Sequence, residues 1–550
     1  MTDNFRRHEA MLADALAALQ SRAFWTPFPE TPSGKIYGES ARSDGEAAFQ
    51  ALLGAAFDLP GHPEERRLGA EVSPWGLDLR ITYPSAGAGA LIAASGRAAA
   101  GWTAATPAER AGVCLEILHR LNRQSFLMGH ATMHTTGQAF PMAFQAGGPH
   151  AQDRGLEAVA VAWQEMMRTP ATAVWEKPQG KAAPIVLEKQ WRAVPRGISL
   201  AIGCNTFPTW NSYPGMFASL VTGNTLIVKP HPAAILPLAL TVRIAREVLA
   251  EAGFSPDVVL LAVDEAGAEI TGDLIAAPEV AIIDYTGSNA FGDHVRANAG
   301  GALVFTEEAG VNSITIAGTD DFRGMCSNIA FSLSLYSGQM CTAPQNIYVP
   351  KGGIQTDEGP KTLDEVAAGI AGAIDALLAD PARASGVCGT IANPATLARV
   401  ASARGMGGVL RDSAPLAEGR SASPLILQVE DAPDGPHRHE CFGPISFIVA
   451  VEDADAGIQA AADLARSKGA ITAALYDTDE ARIARAIDAF AWAGVNLSIN
   501  LTGGIYVNQS AAFSDYHVTG ANPAGNASLT DSAFIAGRFR VVMSRRPKAA

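Results

Sequence analysis

Paired cysteines, long apolar runs and surplus positive charge are all missing from this sequence, and each absence removes a class of protein. The six cysteines (114, 204, 326, 341, 388 and 441) are scattered through 550 residues without paired spacing, which excludes a disulfide framework and implies free thiols in a reducing compartment. No segment offers about eighteen consecutive apolar residues, so no transmembrane helix is expected. The first residues have neither an apolar leader core nor the acid-free, Arg- and Ser-rich bias of a transit peptide, and the expected location is cytoplasmic. Basic side chains number 41 against 55 acidic, a formal charge of −14, so nucleic acid and anionic membranes are poor partners. The Gly-x-Ser-x-Gly elbow of serine hydrolases is absent as well.

What is present is apolar material in regular order. Hydrophobic residues make up 48% and charged ones 17%, enough for a large interior divided into two to four lobes. The first 180 or so residues read as mainly helical, with Leu12, Leu16 and Leu19, then Val113, Ile117 and Leu121, at helical spacing. From Pro184 to Val194 apolar and polar residues alternate as in a strand. Beyond Ile198, short apolar runs at 198–202, 225–228, 258–262, 280–283 and 302–305 are separated by helical stretches at 233–252, 266–276 and 290–299. Continuous apolar strands joined by single helices are the mark of a parallel sheet covered on both faces. A second αβ series runs from about Ser313 to Val495, and strand-like pieces follow Asn500, ending at 538–543.

Several positions could carry chemistry. Gly287 and Ser288, in Tyr285-Thr-Gly-Ser288, follow one of these strands and open a helix, where free N–H groups and the helix dipole suit a phosphate; an ordinary turn accounts for the motif about as well. Lys229 ends a strand at the carboxyl edge of the sheet, where open α/β folds bind ligands, although a solvated lysine there is the commoner case. Glu307, beside Glu308, ends another strand and could turn into a cleft as a general base. Cys341 lies in a polar loop with Gln339 and Thr342, after an apolar helix that begins near Phe322 and stops at Gly338. Backbone donors in such a loop could activate its thiol and steady an oxyanion. The cluster His437, His439, Glu440 and Cys441 suggests a metal at first, but no second ligand pair stands at zinc-like spacing and no metal is expected.

Together these pieces resemble the aldehyde dehydrogenase superfamily. Lys229-Pro, Tyr285-Thr-Gly-Ser288 with Gly292, Glu307 with Gly310, Gly338-Gln-Met-Cys341 and Glu440-Cys-Phe-Gly-Pro444 stand in that family's order, and Cys341 follows Glu307 by 34 positions (341 minus 307), as in the family. The N-terminal Phe24–Gly34 stretch and the terminal Gly537-Arg-Phe-Arg look like the PaaN branch, associated with phenylacetate degradation and a coenzyme A-linked semialdehyde. The resemblance implies an α/β fold: a Rossmann-type cofactor domain with N-terminal helices (1–310), interrupted by an oligomerisation hairpin at 183–195, a catalytic domain (311–495), and a C-terminal oligomerisation segment (496–550). It implies a dimer or tetramer. Cys341 would attack the aldehyde, hydride would pass to NAD or NADP, and Glu307 would activate the water that releases the acid. Lys229 would hold the adenosine ribose, Gly287, Ser288 and Gly292 the pyrophosphate turn, and Glu440 with Phe442 the nicotinamide end.

Three departures stand out. Cys204-Asn-Thr-Phe-Pro208 replaces the family's Trp-Asn-Phe-Pro, which leaves the oxyanion donor among Asn205, Thr206 and Asn211, with Asn205 preferred. The carboxylate that usually follows Lys-Pro-Ser in NAD enzymes is missing, which tilts the cofactor towards NADP. The Glu-Leu-Gly-Gly pattern is reduced to Glu307-Glu-Ala-Gly310, yet its first Glu is kept, which favours hydrolysis to a free acid over transfer to coenzyme A. A coenzyme A-acylating enzyme is the nearest rival. A non-catalytic nucleotide-binding relative is the rival from another class.

Overall fold

A computed structural model describes residues 3–548. Two parallel sheets organise it. In the first, Val259–Leu261, Thr225–Lys229, Ile198–Ile202, Val280–Thr286 and Leu303–Glu307 lie side by side in that order, all parallel. The chain starts in the middle at Ile198, builds outward to one edge, and returns to build the other. That reversal creates a crevice at the carboxyl ends of the strands, the usual ligand site of such sheets. Helices Pro208–Val221 and Leu236–Glu251 cover one face together with Pro107–Arg123 and Pro149–Met167 from the N-terminal region, and most of their residues are buried.

The second sheet has seven strands. Leu425–Glu430, Ile445–Val451, Asn346–Pro350, Ser313–Ile316, Thr472–Tyr476 and Asn496–Ile499 are parallel, and Gly408–Arg411 is an antiparallel edge. Its amino edge meets the carboxyl edge of the first sheet. The link is short: Glu307 ends one sheet and Ser313 begins the other. Most of the tail between Asn500 and Asp531 lies across this junction without regular structure, and Glu308 N–H donates to Ala524 O at 2.7 Å.

Three local expectations need correction. The segment at 266–276 is helical only over Thr271–Ala276, because Gly267 takes a left-handed conformation (φ 84°) and Asp264 folds back to accept from Ile270 N–H and Thr271 Oγ1. The tail after Asn500 holds one strand, Phe539–Pro547, in place of several. The hairpin at 183–195 begins earlier, since Thr172–Gln179 pairs antiparallel with Ala182–Pro195, and Phe539–Pro547 adds a third strand. Thr172–Gln179 is largely solvated on both faces, so no alternation marks it in the sequence. This ribbon leaves Val174, Trp175, Ile185, Val541, Val542 and Met543 exposed. Among the described residues, no helix is long and apolar enough to cross a membrane.

Candidate active site

Cys341 is presented by a strained bend. The helix Phe322–Ser334 stops, and Tyr336 (φ 52°), Ser337 (φ 50°) and Gly338 (φ 63°) follow in left-handed conformations. Two of these carry side chains, at a cost of about 1–2 kcal/mol each. Buried hydrogen bonds hold the bend: Ser337 Oγ is 2.9 Å from Ala422 O and 3.1 Å from Cys388 O, and Tyr336 Oη donates to Thr136 O. Gly338 has no room for a side chain, since a Cβ would strike the Gly443 carbonyl. Beyond the bend, Asn312 Nδ2 donates to Cys341 O (2.8 Å) and Ala343 O (3.0 Å), while its Oδ1 accepts from Ile471 and Thr472 N–H. The amino edge of the second sheet thus fixes the thiol loop.

Four side chains meet at the thiol. His517 Nε2 lies 3.5 Å from Cys341 Sγ and 3.1 Å from Glu307 Oε1. Asn211 Nδ2 donates to both Glu307 oxygens, at 3.3 and 3.2 Å, and Cys204 Sγ lies 3.5 Å from Asn211 Oδ1. Burial and then the neighbouring Glu307 charge push the Cys341 thiol well above its ordinary pKa. Burial would also raise Glu307, but the charge His517 carries when protonated and its hydrogen bond, with contacts from Cys341 and Asn211, outweigh it and hold the carboxyl below its usual range. The resting pair is therefore a protonated thiol beside an ionised carboxylate.

Among the described residues, the thiol, imidazole and carboxylate form the one cluster whose donor atoms all lie within 4.8 Å of one another, close enough to share a cation. The cluster singled out in the sequence at 437–441 is dispersed: His437 pairs with Asp431 (3.1 Å), and Cys441 packs into a hydrophobic core.

The cofactor side is less uniform. Lys229 is buried, and its Nζ donates to Pro230 O and faces Asp264 Oδ1, both at 2.7 Å. Asp264 is buried, and its carboxylate forms a close ion pair with that ammonium. Burial lowers the Lys229 pKa, and Asp264 partly restores it. Ser288 caps the helix Asn289–Asn298 by accepting from Phe291 N–H, and a Cβ on Gly287 would strike Tyr285 Oη. Gly292 makes room for the protein's own Glu308, which pairs with Arg296. Glu440 and Phe442 line a recess with Gly310, Asn312 and Met340. The Glu440 side chain opens towards solvent, while protein around its base pushes its pKa up to about 7 against the pull of Arg399.

Of the three oxyanion candidates, Asn211 joins the cluster. Helix Pro208–Val221 begins three residues earlier, which turns Asn211 towards Glu307. Asn205 stays in the preceding loop, its Oδ1 buried without a partner. Sequence reasoning missed His517 and Asp264. His517 lies 176 positions from Cys341 in a segment without regular structure, and no local signal marks it. Asp264 follows the strand next to Lys229, so its place at a strand end was the available signal.

Comparison with known proteins agrees with this fold. The profile described as aldehyde dehydrogenase family matches residues 82–525. The chain is 54% identical to a crystal structure of NAD-dependent aldehyde dehydrogenase from Burkholderia multivorans, over 100% of both chains, with a TM-score of 0.98. N-succinylglutamate 5-semialdehyde dehydrogenase of Hahella chejuensis is 30% identical over 275 residues, 48% of this chain and 54% of that enzyme, so the chain spans about half the length of this curated relative. The 1-pyrroline-5-carboxylate dehydrogenase of Thermus with bound NAD, at 18% identity and a TM-score of 0.73 over 96% of this chain, shares the fold.

Proposed function

The chain belongs to the aldehyde dehydrogenase family, and we propose that it oxidises an aldehyde to the free acid, with NAD as hydride acceptor, through an acyl thioester on Cys341. The observation that carries this reading is the ionised Glu307 carboxylate held beside the Cys341 thiol, between the carboxyl edge of one sheet and the amino edge of the other. Bound NAD supplies the acceptor for the hydride. Lys229 with Asp264 would hold its adenosine ribose, the turn at Gly287–Ser288 its pyrophosphate, and Glu440 with Phe442 the nicotinamide end. The Asp264 carboxylate beside Lys229 disfavours a 2′-phosphate, and the 54%-identical NAD-dependent relative supports the same choice, against the tilt towards NADP read from the sequence.

Cys341 Sγ attacks the aldehyde carbonyl, and Asn205 Nδ2 is our candidate donor to the resulting oxyanion. After the carbon is oxidised, Glu307 removes a proton from water as its oxygen attacks the thioester, and the C–S electron pair returns to sulfur. A carboxylate touching the nucleophile gives water a base at the thioester, which favours hydrolysis over transfer to coenzyme A. We keep the PaaN placement and a coenzyme A-linked semialdehyde substrate as the finer proposal. It rests on Phe24–Gly34 and Gly537–Arg540, and inclusion of such a substrate in the assay below tests it.

The assay follows cofactor reduction with a panel of aldehydes, with and without coenzyme A, for the wild type and Cys341→Ala. Reduction without coenzyme A, faster with NAD than with NADP and lost in the variant, is the expected result; Asp264→Asn is expected to narrow the NAD preference. Turnover only with coenzyme A would transfer the assignment to the acylating class.

The exposed apolar ribbon of Thr172–Gln179, Ala182–Pro195 and Phe539–Pro547 supports a homo-oligomer that covers it. Light scattering at micromolar concentration is expected to give a dimer or tetramer; a monomeric mass would overturn this.

A further inference from the structure

The reaction as written leaves one proton unassigned. Cys341 is a protonated thiol at rest, and its proton must leave before sulfur can attack. If Glu307 takes that proton, it is protonated when it is needed as the base for water, unless the proton first escapes from a buried site. A second acceptor in contact with sulfur removes the conflict.

We propose that His517, as the neutral ring with its proton on Nδ1 towards Ser510, is that acceptor, so that Cys341 acts as a thiolate–imidazolium pair and Glu307 is kept for water. The inference rests on the reading of Cys341 as the nucleophile. His517 Nε2 lies 3.5 Å from Sγ and 3.1 Å from Glu307 Oε1, so a proton on Nε2 has two anionic acceptors. Nδ1 lies 3.4 Å from Ser510 Oγ, which accepts from Arg154 Nη2 at 3.1 Å and has a lone pair left for an Nδ1–H. Both ring nitrogens thus have acceptors suited to the protonated ring. The imidazole is fixed edge-on against Trp210, with ring centroids 4.4 Å apart and planes at 69°. The charged groups around it are Glu307 on the sulfur side and, behind Ser510 and Trp210, Arg154, which pairs with Glu157.

The step balances. The S–H bond breaks, the proton moves to Nε2, and the electron pair stays on sulfur to form the bond to the carbonyl carbon. When the acyl group leaves, the pair returns to sulfur and the Nε2 proton can follow it. His517 touches the reacting sulfur and is in this sense a catalytic residue.

The test measures iodoacetamide alkylation of Cys341 against pH by peptide mass mapping, in the cofactor-free protein, for the wild type, His517→Gln and His517→Ala. This readout does not depend on turnover. Glutamine keeps a polar side chain of similar reach, so at least one variant is expected to fold, as checked by melting and NAD binding. Both variants are expected to alkylate at least tenfold more slowly near neutral pH, with the pH midpoint moved up. Free imidazole is expected to restore part of the rate in His517→Ala, a rescue that a merely structural role would not show. Wild-type alkylation rates and pH midpoints in a folded variant would overturn the proposal and leave the thioester reading intact. A wild-type Cys341 that resists alkylation throughout would instead remove the nucleophile reading beneath it.

Discussion

Replacing Glu307 with glutamine is expected to lower steady-state aldehyde oxidation by about a hundredfold or more, the usual effect of losing a positioned general base, while a first burst of cofactor reduction survives. Glutamine has nearly the same shape and can still bond with Asn211, but it cannot take a proton from water. Its loss falls on hydrolysis of the thioester, after the carbon has been oxidised, because His517 stands in contact with sulfur to serve the earlier step. Rapid-mixing absorbance would then show about one equivalent of reduced cofactor per site, followed by a slow phase. Added coenzyme A or another small thiol is expected to speed the slow phase, since a thiol attacks a thioester without needing that base. Equal loss of burst and steady state would place Glu307 before the acyl enzyme and exclude the division of labour described above.

Arg538→Met is expected to destabilise the fold by about 3–5 kcal/mol, the range seen when one partner of a buried ion pair is removed. Arg538 is fully buried and clamps Asp284 with both nitrogens, at 2.5 and 2.8 Å. Its Nη1 also donates to Ser219 Oγ at 2.7 Å, and its guanidinium lies over Phe534 at 4.1 Å and Phe305 at 4.6 Å. Asp284 sits within the strand Val280–Thr286, so this arginine ties the C-terminal segment to the first sheet. Methionine fills much of the volume but leaves the carboxylate without its counter-charge. The double variant Arg538→Met with Asp284→Asn is expected to recover a large part of the loss, because the stranded charge and not the missing contact dominates. Denaturation midpoints of the four proteins would decide it. An Arg538→Met protein as stable as the wild type would contradict the account.

The parts of this molecule that were legible in the sequence are those whose signal is local. The strands at 198–202, 225–229 and 280–286 read as apolar runs because both faces of a parallel sheet are covered, and Ser288 read as a helix opening because its hydroxyl caps that helix. Cys341, Glu307 and Lys229 stood out through their place at loop and strand ends. What stayed hidden depends on contacts made late in folding. His517 reaches Cys341 from a stretch with no periodicity, and Asp264 reaches Lys229 across neighbouring strands. That Asn211 and not Asn205 bonds with Glu307 depends on where a helix begins, and Pro208 marks that start only once the loop before it is known. The strand at 172–179 escaped notice because it buries neither face.

The most direct test of the central claim is the mass of the enzyme itself. Glu307→Gln protein mixed with aldehyde and NAD, quenched in acid after the burst and mapped by peptide mass, is predicted to carry the acyl group on Cys341 in near-stoichiometric amount. An unmodified Cys341 after a full burst of cofactor reduction, or an adduct on Cys204 in its place, would contradict it.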